Sequence, residues 1–367
     1  MARKLKSDRL LFLTTLLLLA VSVVMVYSAS KVLAAEKYGQ PNLFLVKQAV
    51  FVVIGLAVMF MTMRIDYERY RDPRVILPLV GITLLALLAV LIVGPKINGA
   101  RRWFAVAGVG IQPSELAKLA VIVFTAAVLE RRMDRIGELT YALGPIVFLL
   151  VPVLGLILLQ KDLGSTVAVL AIVCVMVFAA GLPLRYAGLA AIPIVAGIAA
   201  AVMFEPYRIR RLVAFWNPWD YRLGEGYHVV QSLIAVGSGG VAGRGLGYSV
   251  QKLFYLPYPH TDFIFAVLAE ELGLIGASLM VACFCLITWR GLRTVSRAPD
   301  AFGAFLALGL TTMIAVQAFI NISVVLGLLP TKGIPLPFLS AGGSSLIISL
   351  AGMGVLLNIS QRASATT

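Results

Sequence analysis

Charged residues are scarce in this 367-residue chain. Asp, Glu, Lys and Arg make up only 13% of it, and 60% of its residues are hydrophobic. Soluble domains carry about 25% charged residues, so this scarcity excludes an ordinary water-soluble protein. The apolar residues come in blocks of about 20, the length at which an α-helix spans a bilayer. The sequence therefore predicts an all-α, polytopic integral membrane protein.

Cysteine is also rare, and its placement excludes two further classes of protein. The three cysteines, Cys174, Cys283 and Cys285, all lie inside apolar blocks. They form neither a disulfide framework nor the Cys/His spacing of a metal site. The net charge of +14 does not indicate nucleic acid, because the basic residues lie between apolar blocks and no nucleic-acid-binding motif is present. We expect membrane lipid, and no nucleic acid, among the partners.

Apolar blocks separated by charged residues predict about ten transmembrane helices in a single domain of residues 1–367. The first block follows Arg3, Lys4, Lys6 and Arg9, and we expect a retained helix there rather than a cleaved signal peptide. The predicted spans are 10–29, 44–63, 75–94, 114–130, 141–159, 165–181, 184–204, 263–289, 301–328 and 340–360.

Lys and Arg are dense in alternate short connections, which predicts that both termini are cytoplasmic. One long extracellular loop then covers about 205–262. Arg101, Arg102 and Lys332 fall on the outer side as well. A negatively charged ligand would explain these outer basic residues, and anionic lipid headgroups are the alternative.

Ionisable residues mark the outer ends of two predicted spans. Glu115 and Lys118 are three residues apart at the start of the fourth span, so they share one helix face. Charges within spans are costly and usually face a cavity or a partner. The alternative is a purely structural ion pair. Asp162 lies in the short turn before the sixth span, where a helix cap and a functional carboxylate are equally consistent with its position.

Asp262 stands where the long loop enters the eighth span. It is either a helix cap or a general base or metal ligand at the membrane boundary. Glu270 and Glu271 leave two interpretations open: the span begins at Leu272, or the glutamates line a polar cavity beneath Asp262. The glycine-rich run 237–247 either exposes amide groups to a ligand or forms a flexible or re-entrant turn.

Three prolines, Pro330, Pro335 and Pro337, exclude a continuous helix before the last span, and Lys332 among them would face the same outer site as Asp262. An outward cavity with carboxylates and cations fits a pyrophosphate and a divalent metal. The residues expected to converge there are Glu115, Lys118, Asp162, Asp262 and Lys332.

Eight short motifs give the chain its resemblance to the FtsW/RodA/SpoVE family. They are residues 98–103 (NGARRW), 112–115 (QPSE), 162–164 (DLG), 226–232 (GYHVVQS), 260–266 (HTDFIFA), 270–273 (EELG), 327–330 (GLLP) and 342–345 (GGSS). Residues 330–333 (PTKG) and 252–257 (KLFYLP) resemble the FtsW/SpoVE branch. Two positions depart from the family pattern, Lys161 where proline is usual and Ala341 where tyrosine is common.

The resemblance implies a peptidoglycan glycosyltransferase in the bacterial cytoplasmic membrane. It would polymerise lipid II, an undecaprenyl-pyrophosphoryl disaccharide-pentapeptide, on the outer face with inversion at the sugar. It would need Mg²⁺ or Mn²⁺ and would work with a class B penicillin-binding protein, a transpeptidase. The competing hypotheses are a lipid II flippase and a non-catalytic scaffold for that protein.

The resemblance also implies roles for individual residues. Asp262 would be the general base, and it is a candidate metal ligand together with Glu115. Cations for the phosphates would be Arg101, Lys118 and Lys332. The remaining substrate-binding candidates are Glu115, Asp162 and Ser344.

Overall fold

The computed structural model describes residues 7–97, 99–106, 109–203 and 205–363. Arg3, Lys4, Lys6, the motif residue Asn98 and position 204 lie outside these ranges. The described residues form twelve α-helices and one β-hairpin: α1 Arg9–Tyr38, α2 Leu43–Arg64, α3 Pro73–Val93, β1 Phe104–Val106, β2 Val109–Ile111, α4 Pro113–Arg132, α5 Leu139–Leu159, α6 Leu163–Ala179, α7 Leu184–Met203, α8 Pro206–Trp216, α9 Tyr227–Ser238, α10 Ile264–Arg297, α11 Ala301–Val325 and α12 Gly343–Ala363.

Ten of these helices, α1 to α7 and α10 to α12, coincide with the ten predicted spans. Seven helices in the described ranges are long and apolar enough to cross a membrane by length and composition. Of the other three, α6 has 17 residues, and α4 carries Glu115 and Lys118 near its start. The prediction of an all-α, multi-pass membrane protein is confirmed, while the number of spans stays a prediction.

Polar contacts show which helix ends lie together. Asp8, which caps α1, accepts hydrogen bonds from Arg290 near the end of α10 and from its own helix, and its backbone N–H contacts Ser360 of α12. Arg362 in α12 pairs with Asp66, directly after α2. The start of α1 and the end of α12 thus share one end of the bundle, as an even number of crossings requires. That this end is cytoplasmic stays a prediction.

Glycines let the central helices approach closely. A Cβ on Gly291 of α10 would lie 2.3 Å from Thr311 Oγ1 of α11, and one on Gly354 of α12 would lie 2.1 Å from Thr62 Oγ1 of α2. Small residues at such contacts are typical of helix packing in membranes, where van der Waals contact drives association. Helix α11 is buried along most of its length and forms the centre of the bundle.

The long segment between α7 and α10 is more ordered than the sequence suggests, because it contains α8 and α9. Helix α9 packs against α10 and α11, and Ser232 Oγ donates to the carbonyl of Val325 at 2.7 Å. The last connection is irregular from 326 to 342, as its prolines predict. The segment preceding α10 and this connection together form the end of the bundle opposite to Asp8.

Candidate active site

The segment 260–262 is held against the connection that precedes α12. The backbone N–H of Ala341 donates to the carbonyl of His260 at 2.9 Å, and Ser340 Oγ donates to the carbonyl of Thr261 at 2.6 Å. These backbone contacts fix the position of Asp262 without using its carboxylate. Two connections that are far apart in the sequence therefore form one surface.

Asn321, a buried residue of α11, joins the same two connections from below. Its Nδ2 donates to the carbonyl of Asp262 at 2.8 Å and to that of Ile334 at 2.7 Å. We did not single out this residue from the sequence. Its signal is an amide side chain inside an apolar span, where an unsatisfied polar group is costly and a specific partner is expected.

The Asp262 carboxylate is only partly exposed and accepts no hydrogen bond from the described part of the chain. A Cβ on Gly333 would lie 3.0 Å from Asp262 Oδ2, so glycine leaves space beside the carboxylate. The pKa of Asp262 is raised to about 6, chiefly by burial; Arg102 and Arg211 act to lower it, and nearby Asp162 acts to raise it. An ionisable carboxylate with free oxygens can accept a proton near neutral pH.

Asp162 acts as a helix cap and also links three elements. Its Oδ1 accepts from the backbone N–H of Ser165 at 3.0 Å, and its Oδ2 accepts from Ser165 Oγ at 2.7 Å and Gln112 Nε2 at 3.1 Å. The N–H of Gln112 in turn donates to Ser344 Oγ at 3.2 Å. This chain connects the starts of α4, α6 and α12, so Asp162 and Ser344 belong to one network.

The two adjacent arginines before the hairpin point to different places. Arg101 donates to the carbonyls of Leu91 and Ile92 at the end of α3 and is exposed. Arg102 donates to the carbonyls of Gln160 at 3.1 Å and Lys161 at 2.7 Å. It is Arg102, and not Arg101, whose charge acts on Asp262. The sequence indicated Arg101 as the substrate-binding cation, but the structure places its neighbour Arg102 near Asp262.

Lys332 lies in the connection before α12, as predicted, and is partly buried. Burial lowers its pKa, Arg208 lowers it further, and Asp162 raises it. Its ammonium has no hydrogen-bond or ion-pair partner among the described residues. Asp162 therefore acts electrostatically on both Asp262 and Lys332, and Arg102 acts on Asp262. These groups form a mixed-charge site at this end of the bundle.

Glu115 and Lys118 form an ion pair with each other. Their side chains are 2% exposed and 2.8 Å apart, from Glu115 Oε1 to Lys118 Nζ. Both lie near the start of α4, beside Ser114, whose Oγ contacts Ser165 Oγ at 3.4 Å. The structure thus places them beneath the Asp162 network as a compensated pair.

Replacing only one member of this ion pair should destabilise the protein much more than replacing both members. Glu115→Gln leaves the Lys118 ammonium buried without its counter-charge, and we expect a loss of about 3–5 kcal/mol. Adding Lys118→Met should restore much of that loss, because neither partner is then charged. Thermal unfolding of purified single and double variants in one detergent measures the difference. Equal unfolding temperatures for wild type and Glu115→Gln would show that the pair does not contribute.

Lys161 adopts a backbone conformation that proline cannot. Its φ is +62°, its N–H donates to the carbonyl of Leu158 at 2.8 Å, and its Nζ lies 2.8 Å from Glu205 Oε1. Glu205 directly precedes α8. The residue that departs from the family pattern therefore ties the Asp162 turn to the start of the long segment.

Introducing the family's usual proline at this position should destabilise the protein. Proline requires a φ near −65° and has no N–H, so we expect Lys161→Pro to cost more than about 1 kcal/mol. Lys161→Gly should be close to neutral, since glycine relieves the left-handed strain while the exposed ion pair contributes little. Unfolding temperatures of the two variants check this. Similar values for both would mean that the turn rearranges freely.

Glu270 and Glu271 are buried in α10, where they bind the long segment. Glu270 accepts from Ser249 Oγ at 2.6 Å and from the N–H of Val250 at 3.0 Å. Glu271 accepts from Lys252 Nζ at 2.7 Å and from Ser28 Oγ of α1 at 2.6 Å. The surroundings of these carboxylates are thus the loop before α10 and Ser28 of α1. The sequence left open whether the span begins at Leu272 or whether the glutamates line a polar cavity beneath Asp262.

The glycine-rich run packs against a kink in α10. Gly273 breaks the helix with a φ of +66° and a ψ of −166°. The N–H of Gly245 donates to the carbonyl of Glu271 at 3.0 Å, and the N–H of Leu274 donates to the carbonyl of Gly240 at 2.9 Å. The loop thus satisfies backbone groups that the kink frees from the helix, as a membrane protein requires. The amides of Arg244 and Gly245 in this run thus donate to carbonyls of α10.

The donor set at this site fits a divalent metal only in part. No group of three or more His, Cys, Asp or Glu side chains that could hold a metal occurs in the described ranges. Glu115 is engaged by Lys118, and both oxygens of Asp162 accept hydrogen bonds. Mg²⁺ commonly takes one or two protein carboxylates and completes its shell with substrate phosphates and water. The residues present fit that arrangement through Asp262, and not a cage of protein ligands.

Known proteins resemble this chain over nearly its whole length. The family model described as cell cycle protein, FtsW/RodA/SpoVE, matches residues 8–365. Stage V sporulation protein E of Bacillus subtilis strain 168 is 43% identical over 98% of this chain and 98% of its own length. A probable peptidoglycan glycosyltransferase FtsW of Geobacter sp. strain M18 is 44% identical over 97% of each chain.

Solved structures share the fold. A chain from "Structural coordination of polymerization and crosslinking by a peptidoglycan synthase complex" has a TM-score of 0.79 at 33% identity, over 98% of this chain and 99% of that one. Rod shape determining protein RodA of Thermus thermophilus has a TM-score of 0.71 at 31% identity, over 97% of each chain. Agreement in sequence and in fold over this length shows that the chain belongs to the FtsW/RodA/SpoVE family.

Proposed function

We propose that this protein is a peptidoglycan glycosyltransferase that polymerises lipid II on the outer face of the cytoplasmic membrane. The observation that carries the proposal is the Asp262 carboxylate, which is partly buried, accepts no hydrogen bond from the described residues, and lies among cations at one end of the bundle. Relatives named peptidoglycan glycosyltransferase support the reaction class.

In this reaction Asp262 acts as the general base. Its carboxylate takes the proton from the 4-hydroxyl of the acceptor N-acetylglucosamine as that oxygen attacks the anomeric carbon of the donor. The new C–O bond forms while the bond from the anomeric carbon to the lipid pyrophosphate breaks, and the pyrophosphate leaves with the electron pair. A single displacement inverts the configuration from α to β. A raised pKa suits a base that works near neutral pH.

The leaving pyrophosphate needs positive charge, and the site supplies it. Lys332 and Arg102 are the cations that the geometry favours, since both are coupled electrostatically to the Asp162–Asp262 pair of carboxylates. Lys118 is already compensated by Glu115, and Arg101 lies against the end of α3 and, unlike Arg102, does not act on Asp262. Mg²⁺ or Mn²⁺ held by Asp262 and the substrate phosphates would add Lewis-acid stabilisation of the leaving group.

A class B penicillin-binding protein is the partner we propose. One similar solved structure is of a peptidoglycan synthase complex that coordinates polymerization and crosslinking. A polymerase that extends glycan strands at the outer face of the cytoplasmic membrane produces strands that must be crosslinked there. A transpeptidase anchored in the same membrane would act on them as they emerge.

The experiment is polymerisation in detergent, where transport across a membrane has no meaning. Purified protein is mixed with its class B penicillin-binding protein, lipid II and Mg²⁺ or Mn²⁺, and glycan strands are separated by gel electrophoresis. We expect strands from the complete mixture and a large loss on chelation. No strands from a folded complex with confirmed partner binding would contradict the proposal and favour a flippase or a scaffold.

A further inference from the structure

A groove of about 720 Å³ lies at the end of α2, on the end of the bundle opposite to Asp262. Its lining has an apolar part and a cationic part. The apolar part lies along α2 and includes Phe60 and Met61, which are 40% and 57% exposed. The cationic part lies at the end of α2 and beyond it, and carries the guanidinium groups of Arg64 and Arg69. Such a wall, apolar along the helix and cationic at its end, matches the profile of one membrane leaflet.

The apolar part of this groove faces away from the protein core. Helix α2 buries only Gln48, Gly55, Met59 and Thr62, and its closest neighbours are α12 and α1. At the groove, the exposed residues Ala57, Phe60 and Met61 form the outward face of this helix. In a membrane protein that outward face is covered by acyl chains, so the groove is open to lipid and not to another helix of this chain.

The two arginines of the groove lack counter-charges from the described protein. Neither guanidinium has an ion pair or hydrogen bond with a described residue. The acidic side chains nearby are engaged elsewhere: Asp66, which also lines the groove, and Glu68 both pair with Arg362. A third acid, Glu130, pairs with Arg71 at 2.7 Å. The groove therefore presents net positive charge at the end of an apolar helix, where the phosphates of a surrounding leaflet would lie.

We propose that this groove binds one phospholipid with an anionic headgroup. Arg64 and Arg69 would hold its phosphate, because guanidinium groups bind phosphate oxygens through paired N–H donors. One acyl chain would lie along Phe60 and Met61. A free phosphate would satisfy only the cations and would leave the apolar wall unused, so the groove selects lipid. Basic pockets on the cytoplasmic side of membrane helices bind anionic headgroups in the same way.

Native mass spectrometry of the purified full-length protein tests the proposal. The protein is released from detergent after titration with phosphatidylglycerol or, as the neutral-headgroup comparison, phosphatidylcholine. We expect one tightly bound phosphatidylglycerol and no comparable phosphatidylcholine. Arg64→Ala/Arg69→Ala should weaken phosphatidylglycerol binding about tenfold or more. Arg64→Lys/Arg69→Lys keeps the charge but loses the paired N–H donors, so its binding should fall between that of the wild type and that of the double alanine variant.

The matched control is Arg293→Ala/Arg297→Ala, which removes two positive charges from the end of α10 at the same end of the bundle. It should bind phosphatidylglycerol like the wild type. Equal binding by the Arg64/Arg69 double alanine variant, or an equal loss in the control, would overturn the proposal. Displacement of the lipid by millimolar inorganic phosphate would identify a free-anion site instead. Because Arg64, Arg69 and Arg297 are exposed and Arg293 is half-buried, unfolding temperatures close to wild type should accompany each result.

Discussion

Replacing Asp262 by asparagine should lower the rate of glycan polymerisation by about 10²- to 10⁴-fold, the usual contribution of a positioned general base. Asparagine has nearly the same shape but cannot take the acceptor's proton. The backbone of Asp262 is held by Asn321 through its carbonyl, which the substitution leaves intact. The loss should therefore appear as a lower turnover number in a folded protein. Strand formation from lipid II, measured with the partner present, gives the rate.

Asp220→Asn is the matched control for this variant. Asp220 is an exposed carboxylate in the same long segment, between α8 and α9, so its removal changes the net charge equally but leaves the site untouched. We expect its rate to equal that of the wild type. If Asp262→Asn polymerised lipid II as fast as Asp220→Asn at matched folding and partner binding, Asp262 would not be the base.

The pH dependence of the rate should report the same group. A base must be ionised to accept a proton, and the pKa of Asp262 is raised to about 6 by burial. Below that pH the protonated carboxyl is inactive, so the wild-type rate should fall about tenfold per pH unit. Above it the rate should level off. The residual rate of Asp262→Asn should lack this inflection, since asparagine does not titrate.

The helices were predictable because an apolar block of about 20 residues that satisfies its backbone hydrogen bonds within itself forms an α-helix. Ten apolar blocks gave ten helices, with differences mainly at their ends: α10 continues to Arg297, and α12 begins at Gly343 instead of near 340. Helices α8 and α9 were not expected, since they are short and lie in the segment with the weakest apolar pattern. Their positions depend on packing against other elements, which no local pattern records.

The site was predictable at the level of connections, but less so at the level of side chains. Polar residues at the ends of spans indicated Asp162, Asp262 and Lys332, and the fold brings these three together. The sequence does not indicate which of the adjacent residues Arg101 and Arg102 lies near Asp262. In the structure it is Arg102, while Arg101 contacts the end of α3. The partners of Glu270 and Glu271 depend on a loop that reaches α10 from about 20 residues earlier, as Ser249 and Val250 do.

Gly273→Ala should prevent stable folding of this protein or destabilise it severely. The φ of +66° and ψ of −166° at Gly273 lie in a region that is essentially restricted to glycine, and the strain for another residue is about 1–3 kcal/mol. A Cβ there would also lie 2.3 Å from the backbone N of Gly243 and 2.5 Å from the carbonyl oxygen of Val241. Backbone atoms cannot move aside as a flexible side chain can. The glycine-rich loop would have to leave the kink, and its buried backbone hydrogen bonds would be lost with it.

Loss of the kink should also displace Asp262. The kink sets the direction of the first part of α10, and this helix begins at Ile264, two residues after Asp262. Any folded Gly273→Ala protein should therefore also polymerise lipid II more slowly. Gly237→Ala is the control, since a Cβ at this helical position of α9 meets nothing within 4 Å and alanine favours helix over glycine by about 1 kcal/mol. Its thermal midpoint in detergent should equal or exceed that of wild type, while Gly273→Ala should aggregate or unfold well below it. A wild-type midpoint for Gly273→Ala would mean that α10 can straighten without cost, and that the loop does not hold the kink.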